Sequence, residues 1–133
     1  MPDDWFLIAN PFSNSGKAAK VVQKVARELD SVGVEFKINL TSYPGEEIAL
    51  VDKATSNGYS RILAVGGDGT AQKVVAGIIL QKNIPRNKIL FSLIPCGTGN
   101  DWAKSKQIPI DLSKNIKLLK NGKIKNLSLI HIS

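Results

Sequence analysis

Five consecutive residues, Gly66-Gly67-Asp68-Gly69-Thr70, place three glycines, a carboxylate and a hydroxyl between an apolar run and a helical pattern. Glycine removes the Cβ barrier to positive φ, so such a backbone can turn sharply and come close to a ligand. The free N–H groups of the turn and of the helix N-terminus behind it favour phosphate oxygens. Asp68 is the informative member of the set. A carboxylate repels a bare polyphosphate, yet it can hold Mg²⁺, orient a water or accept a proton from a hydroxyl. The structural alternative is a turn former that bonds its own backbone.

Two more loops have related chemistry. Asn10-Pro11-Phe12-Ser13-Asn14-Ser15-Gly16 sets small hydroxyl and amide side chains ahead of a second helical pattern. Lys17 after Gly16 gives half of a Walker A loop, but the first glycine is misplaced and no Ser or Thr follows Lys17, which argues against a P-loop. The third loop is Cys96-Gly97-Thr98-Gly99-Asn100-Asp101. No third glycine completes a dinucleotide fingerprint there, which argues against a Rossmann dehydrogenase.

The elements that must position these loops follow from hydrophobic periodicity. Trp5-Phe6-Leu7-Ile8-Ala9 predicts a buried strand, ended by Pro11, which cannot continue a central strand. A helix is expected from about 16 to 31, with Val21, Val22, Val25, Ala26 and Leu29 on one face and Gly33 at its C-terminal cap. Residues 34–40 alternate and predict a second strand. The loop Thr41-Ser42-Tyr43-Pro44-Gly45 leads into a helix carrying Ile48, Leu50, Val51 and Ala54, which stops at Asn57-Gly58. Residues 61–65 predict a third strand, apolar enough to be buried on both faces, followed by a tight loop at 66–69 and a helix from 70 to about 81. Residues 89–94 predict a fourth strand, ended by Pro95. A last helix begins near Asp111, a good N-cap, and ends at Asn121-Gly122; residues 124–132 read as a strand. This rhythm predicts an α/β fold of three layers, with a mostly parallel sheet, right-handed crossovers and helices on both faces. Ligands in such sheets sit outside the carboxyl ends of the strands, where all three loops emerge.

Composition sets outer bounds. At 133 residues the chain has room for one α/β domain, and its 43% apolar and 22% charged residues are ordinary for a soluble globular protein. No apolar run approaches the roughly 20 residues of a membrane-spanning helix. The start, Met1-Pro2-Asp3-Asp4, lacks the features of a signal peptide. Cys96 is the single cysteine, so no internal disulfide forms, and no Cys/His cluster suggests zinc. A cytoplasmic protein is expected. The net charge of +7 is concentrated late: Lys104, Lys106, Lys114, Lys117, Lys120, Lys123 and Lys125 face only Asp101 and Asp111. Such a bias attracts anionic lipid surfaces, phosphates or nucleic acid, though a solvated lysine face is the plainer account. His131, the one histidine, has no evident partner and reads as structural or exposed. Cys96 reads as a small buried residue, Trp5 and Trp102 as packing residues, and Phe12 either stacks on a base or packs.

Together the loops carry a resemblance. Asn10-Pro11-x-Ser13, Gly66-Gly67-Asp68-Gly69-Thr70 and Pro95-x-Gly97-Thr98-x-Asn100-Asp101-x-Ala103, in this order and spacing, resemble the catalytic domain of diacylglycerol kinases, shared with bacterial lipid kinases and with ceramide and sphingosine kinases. The Gly-rich turn alone would also suit an NAD kinase; the third motif selects the lipid kinase branch. The resemblance covers nearly the whole chain and implies a nucleotide-binding domain over 1–122, with 123–133 leading toward a β-rich lipid-binding domain. It implies ATP and Mg²⁺ as cofactors, and γ-phosphate transfer to a hydroxyl of a diacylglycerol-like or sphingoid lipid. Asn10, Pro11, Ser13, Asn14, Thr41, Gly66, Gly67, Asp68, Gly69, Thr70, Gln72 and Thr98 would line the nucleotide site, with Asp68 as the catalytic candidate. No metal-ligand set is implied within this chain. The expected partners are nucleotide and a lipid at a membrane surface, peripheral to the inner face, without nucleic acid and with a homodimer left open. Four positions depart from the family pattern. Asn14 stands where glycine is usual; Gln72 and Lys73 replace an Asn-Glu pair, and Ala76 precedes Gly77 where Asn is common. A non-catalytic nucleotide-binding remnant or regulatory module is the alternative.

Overall fold

The computed structural model describes residues 4–12 and 16–95 of the chain. In order these form β1 (Trp5–Ala9), α1 (Lys17–Ser31), β2 (Phe36–Leu40), α2 (Glu46–Ser56), β3 (Arg61–Gly66), α3 (Asp68–Leu80), a 3-10 turn (Arg86–Lys88) and β4 (Leu90–Pro95). Every strand and helix expected before residue 96 is present. The informative shift is at α3, which begins at Asp68, so Asp68 and Gly69 belong to its first turn and not to a loop. The expected helix from Asp111, the strand at 124–132, the boundary at 122, and Cys96, Trp102 and His131 lie outside the described residues.

The strands form one parallel sheet in the order β2-β1-β3-β4. Both faces of its centre are buried, which is why β1, β3 and β4 read as apolar runs without alternation. On one face Trp5, Leu7, Ala9, Leu63, Val65 and Ile94 pack against Val22, Val25 and Leu29 of α1. On the other, Phe6, Ile8, Ile62, Ala64, Phe91 and Leu93 pack against Leu50, Val51 and Ala54 of α2 and Ala71, Val74 and Ile78 of α3. The two cores make the three expected layers. β2 pairs only with β1 among the described residues; its Ile38 and Leu40 are 39% and 48% exposed, so its alternation marks an edge strand.

Right-handed crossovers send the chain in opposite directions along a sheet when they pass over opposite faces. With α1 on one face and α2 and α3 on the other, β1→β2 steps one way, and β2→β3→β4 returns past β1. The reversal falls between β1 and β3, a topological switch point where open α/β sheets bind ligands. The helices leave cleanly: Gly33, at φ +77°, closes α1 with its N–H on Asp30 O and Val34 N–H on Leu29 O, at 3.2 and 3.0 Å. α2 and α3 lie side by side, so close at Gly77 that a Cβ there would meet Val51 Cβ at 3.0 Å and Ile48 Cα at 3.2 Å. Past α3, the Asn83 amide donates to Asp52 Oδ1 and Thr55 Oγ1, at 3.1 and 3.0 Å.

Candidate functional site

At the switch point β1 and β3 end together, Ala9 being in register with Val65. After β1 the chain turns through Asn10, Pro11 and Phe12. Asn10 Oδ1 accepts the Phe12 N–H at 2.9 Å, the Asx-type bond that lets a short polar side chain replace a backbone partner. Phe12 O then accepts from Gly16 N–H at 3.4 Å ahead of α1. Ser13 and Asn14 lie outside the described residues, as does Thr98.

After β3 the turn is shorter. Gly66 ends the strand, Gly67 is extended (φ −94°, ψ −164°), and Asp68 opens α3. The expectation that this turn uses positive φ is corrected: among the described glycines only Gly16, Gly33, Gly45 and Gly58 adopt it. Gly66 is required by crowding instead, because a Cβ there would lie 2.7 Å from Thr70 Oγ1. Thr70 is accordingly buried beneath the turn. Gly69 is the reverse case, with no atom within 4 Å of where its Cβ would stand, so its exposed surface is open to approach. The result points the N-terminus of α3, with its positive dipole end, at the switch point. Half-buried Asp68 is the acidic residue of that first turn. Gln72 is exposed on α3.

Beside this pair of loops, Thr41 continues the β2–β1 ladder by donating its N–H to Ala9 O at 2.9 Å, and it is buried. Asn10, Phe12, Thr41, Ser42, Tyr43 and Pro44 line a cavity of about 180 Å³. Asn10 and Thr41, expected at one site from the sequence, therefore share a wall. Gly66 to Thr70 do not line this cavity; they stand beyond Asn10, across the β1–β3 pairing. Two aromatic rings stand at the cavity, Phe12 at 74% and Tyr43 at 56% exposure. Phe12 is therefore not part of the described core. Tyr43 and Ser42 were not singled out in the sequence, although an aromatic directly after a strand end, beside Thr41, is a readable signal. Among the described residues no group of three or more Asp, Glu, His or Cys could hold a metal ion, and no helix is long and apolar enough to cross a membrane.

Comparison with known proteins gives the same picture. The family model described as "Diacylglycerol kinase catalytic domain" matches residues 4–132. A diacylglycerol kinase of Staphylococcus epidermidis is 30% identical over 116 residues, covering 87% of this chain and 35% of that protein. Its counterpart in Staphylococcus haemolyticus is 32% identical over 106 residues, covering 80% of this chain and 31% of its own length. The crystal structure of a diacylglycerol kinase from Bacillus anthracis superposes with a TM-score of 0.73 at 22% identity, over 90% of this chain and 42% of that one, which establishes the shared fold. The chain thus spans about a third of the curated relatives it matches. With a matching family model over almost its whole length, and with the Asn10 and Gly66 turns meeting at one switch point, the chain belongs to the diacylglycerol kinase catalytic domain family of lipid kinases.

Proposed function

We propose that this chain is the ATP-binding part of a lipid kinase that moves the γ-phosphate of ATP to a hydroxyl of a diacylglycerol-like or sphingoid lipid. The observation that carries the reading is the convergence of the Asn10 turn and the α3 N-terminus on the two sides of the β1–β3 switch point. Phosphoryl transfer needs positioning and charge neutralisation more than covalent chemistry from the protein. The parts suit those tasks. The N–H groups of α3, beside the open surface at Gly69, take phosphate oxygens. The cavity walled by Asn10 and Thr41 and flanked by Phe12 and Tyr43 takes a flat base with its sugar; at about 180 Å³ it holds part of a nucleotide, so the phosphates extend out of it toward α3.

Mg²⁺ fits this chain only as a guest of the phosphates. The described residues provide no cage, and Mg²⁺ commonly binds through one or two carboxylates plus substrate phosphates. Asp68, at the α3 N-terminus, is the carboxylate in position to meet such an ion or to receive the proton of the attacking hydroxyl. A protein of this family acts at an interface, and the late lysines support attraction to an anionic membrane face.

Nucleotide titration, followed by labelled-phosphate transfer to a panel of diacylglycerol, sphingosine and ceramide, tests the reading. ATP binding with transfer to one lipid is the expected outcome for the protein in its full-length context. Absence of ATP binding would remove the nucleotide site. Binding without transfer to any lipid would favour a regulatory nucleotide-binding module.

A further inference from the structure

Glu47 is a buried acid with no hydrogen-bond partner among the described residues. It is 1% exposed and its Oε1 makes no hydrogen bond. Its neighbour Glu46 is accounted for locally, because Glu46 Oε1 accepts the Ser42 N–H. Both lie in the first turn of α2, where the helix dipole favours negative charge. The dipole acts on both alike, however, and supplies Glu47 with no hydrogen-bond donor. A charge withdrawn from water needs a countercharge or a donor.

The register of α2 against α3 shows where one is. Two contacts set that register: Gly77 against Val51 and Ile48, and Asn83 against Asp52 and Thr55. The helices therefore run side by side in the same direction. One turn toward their N-termini, Val51 gives way to Glu47 and Gly77 gives way to Lys73. Lys73 is half-buried, and helical side chains lean toward the helix N-terminus. Both side chains thus lean toward the carboxyl ends of the strands. The other described basic residues are elsewhere. Lys17, Lys20, Lys24 and Arg27 are on α1 across the sheet, Lys37 is exposed on the edge strand, and Lys53, Arg61, Lys82, Arg86 and Lys88 are at the opposite end of the layer.

We propose that Glu47 is a positioning residue that takes the Lys73 ammonium in an ion pair across α2 and α3, holding that cation behind the anion-binding end of α3. The pair joins the helix behind the Thr41 loop to the helix behind Gly66, so the two sides of the site are braced against each other. The ion pair stands on the packing alone, whereas its effect on a phosphate ligand rests on the nucleotide reading above.

The experiment uses the full chain. NMR of lysine ammonium groups shows a slowly exchanging Lys73 signal, absent in Lys73→Met and lost in Glu47→Gln. Each single substitution lowers the unfolding midpoint, the double variant lowers it no further than the worse single, and the exchanged pair Glu47→Lys with Lys73→Glu recovers part of the loss. Additive losses, or a Lys73 signal indifferent to Glu47→Gln, overturn the pair. Should Glu47→Gln not fold, the Glu47 carboxyl ¹³C shift in wild type against Lys73→Met decides: an unchanged shift overturns it. For positioning, both single variants weaken ATP several-fold and leave adenosine unchanged; equal losses for both ligands reduce Glu47 to a structural residue and overturn that role. Wild-type protein that binds no ATP sinks the nucleotide reading, while the ammonium signal and the melts still judge the pair.

Discussion

Thr70 Oγ1 stands 2.7 Å, and Thr70 Cβ 2.8 Å, from the point a Cβ on Gly66 would occupy. The first turn of α3 is therefore folded tightly back over the end of β3, and this contact aims the helix N-terminus at the switch point. Gly66→Ala forces Thr70 or the strand end to move. Overpacking of this kind costs about 1–3 kcal/mol. Denaturant melts are expected to show that loss, and ATP affinity should fall with it because the phosphate-facing N–H groups shift.

Gly69 predicts the opposite sign in the same turn. Its missing Cβ faces open space and its backbone is helical without positive φ. Gly69→Ala should raise stability by about 0.4–1 kcal/mol through the unfolded chain. The added methyl would occupy surface that a phosphate approaches. A more stable variant that binds ATP less well is the expected result of paired melting and titration.

Gly77→Ala tests the contact that sets α2 against α3. The new Cβ would press on Val51 and on the backbone at Ile48, at 3.0 and 3.2 Å. Backbone cannot rotate away as a side chain can, so about 1–3 kcal/mol of destabilisation is expected. Adding Val51→Ala should relieve only part of it, as read from the denaturation midpoint of the double variant.

Phe12→Ser and Tyr43→Ser remove rings that the fold does not bury. Stability should stay within about 0.5 kcal/mol. Stacking of a base on an aromatic ring contributes about 1 kcal/mol or more, so adenosine and ATP should each bind roughly fivefold more weakly. Calorimetric titration checks both ligands. Unchanged affinities would place the base elsewhere.

Asp68→Asn separates binding from chemistry. Removing a negative charge from the α3 N-terminus should leave ATP binding without Mg²⁺ equal or tighter, since anions repel there. Phosphate transfer by the full-length enzyme should fall by about 10²-fold or more, the scale of a lost acid–base or metal-organising group. If Asp68 organises Mg²⁺, the gain in ATP affinity on adding the ion also disappears; if it acts as base, that gain remains.

Much of this was readable in the chain itself, because it rests on local physics. Apolar runs at 5–9, 61–65 and 89–94 mark buried strands, and the 3.6-residue spacing of Val22, Val25 and Leu29 marks a helix with one buried stripe. Glycine-rich breaks at their ends mark the loops, and alternation of strand and helix implies a parallel sheet. The tertiary structure decided what depends on residues far apart in sequence. Strand order, set by which face each helix covers, brought Asn10 beside Gly66 and left β2 at an edge. Crowding by Thr70, not backbone conformation, explained Gly66. Exposure separated Phe12 and Tyr43 from the core, and the parallel register of α2 and α3 put Glu47 and Lys73 each one turn before the Val51–Gly77 contact. Periodicity reports which face of an element is apolar; it is silent on what the opposite element places against that face.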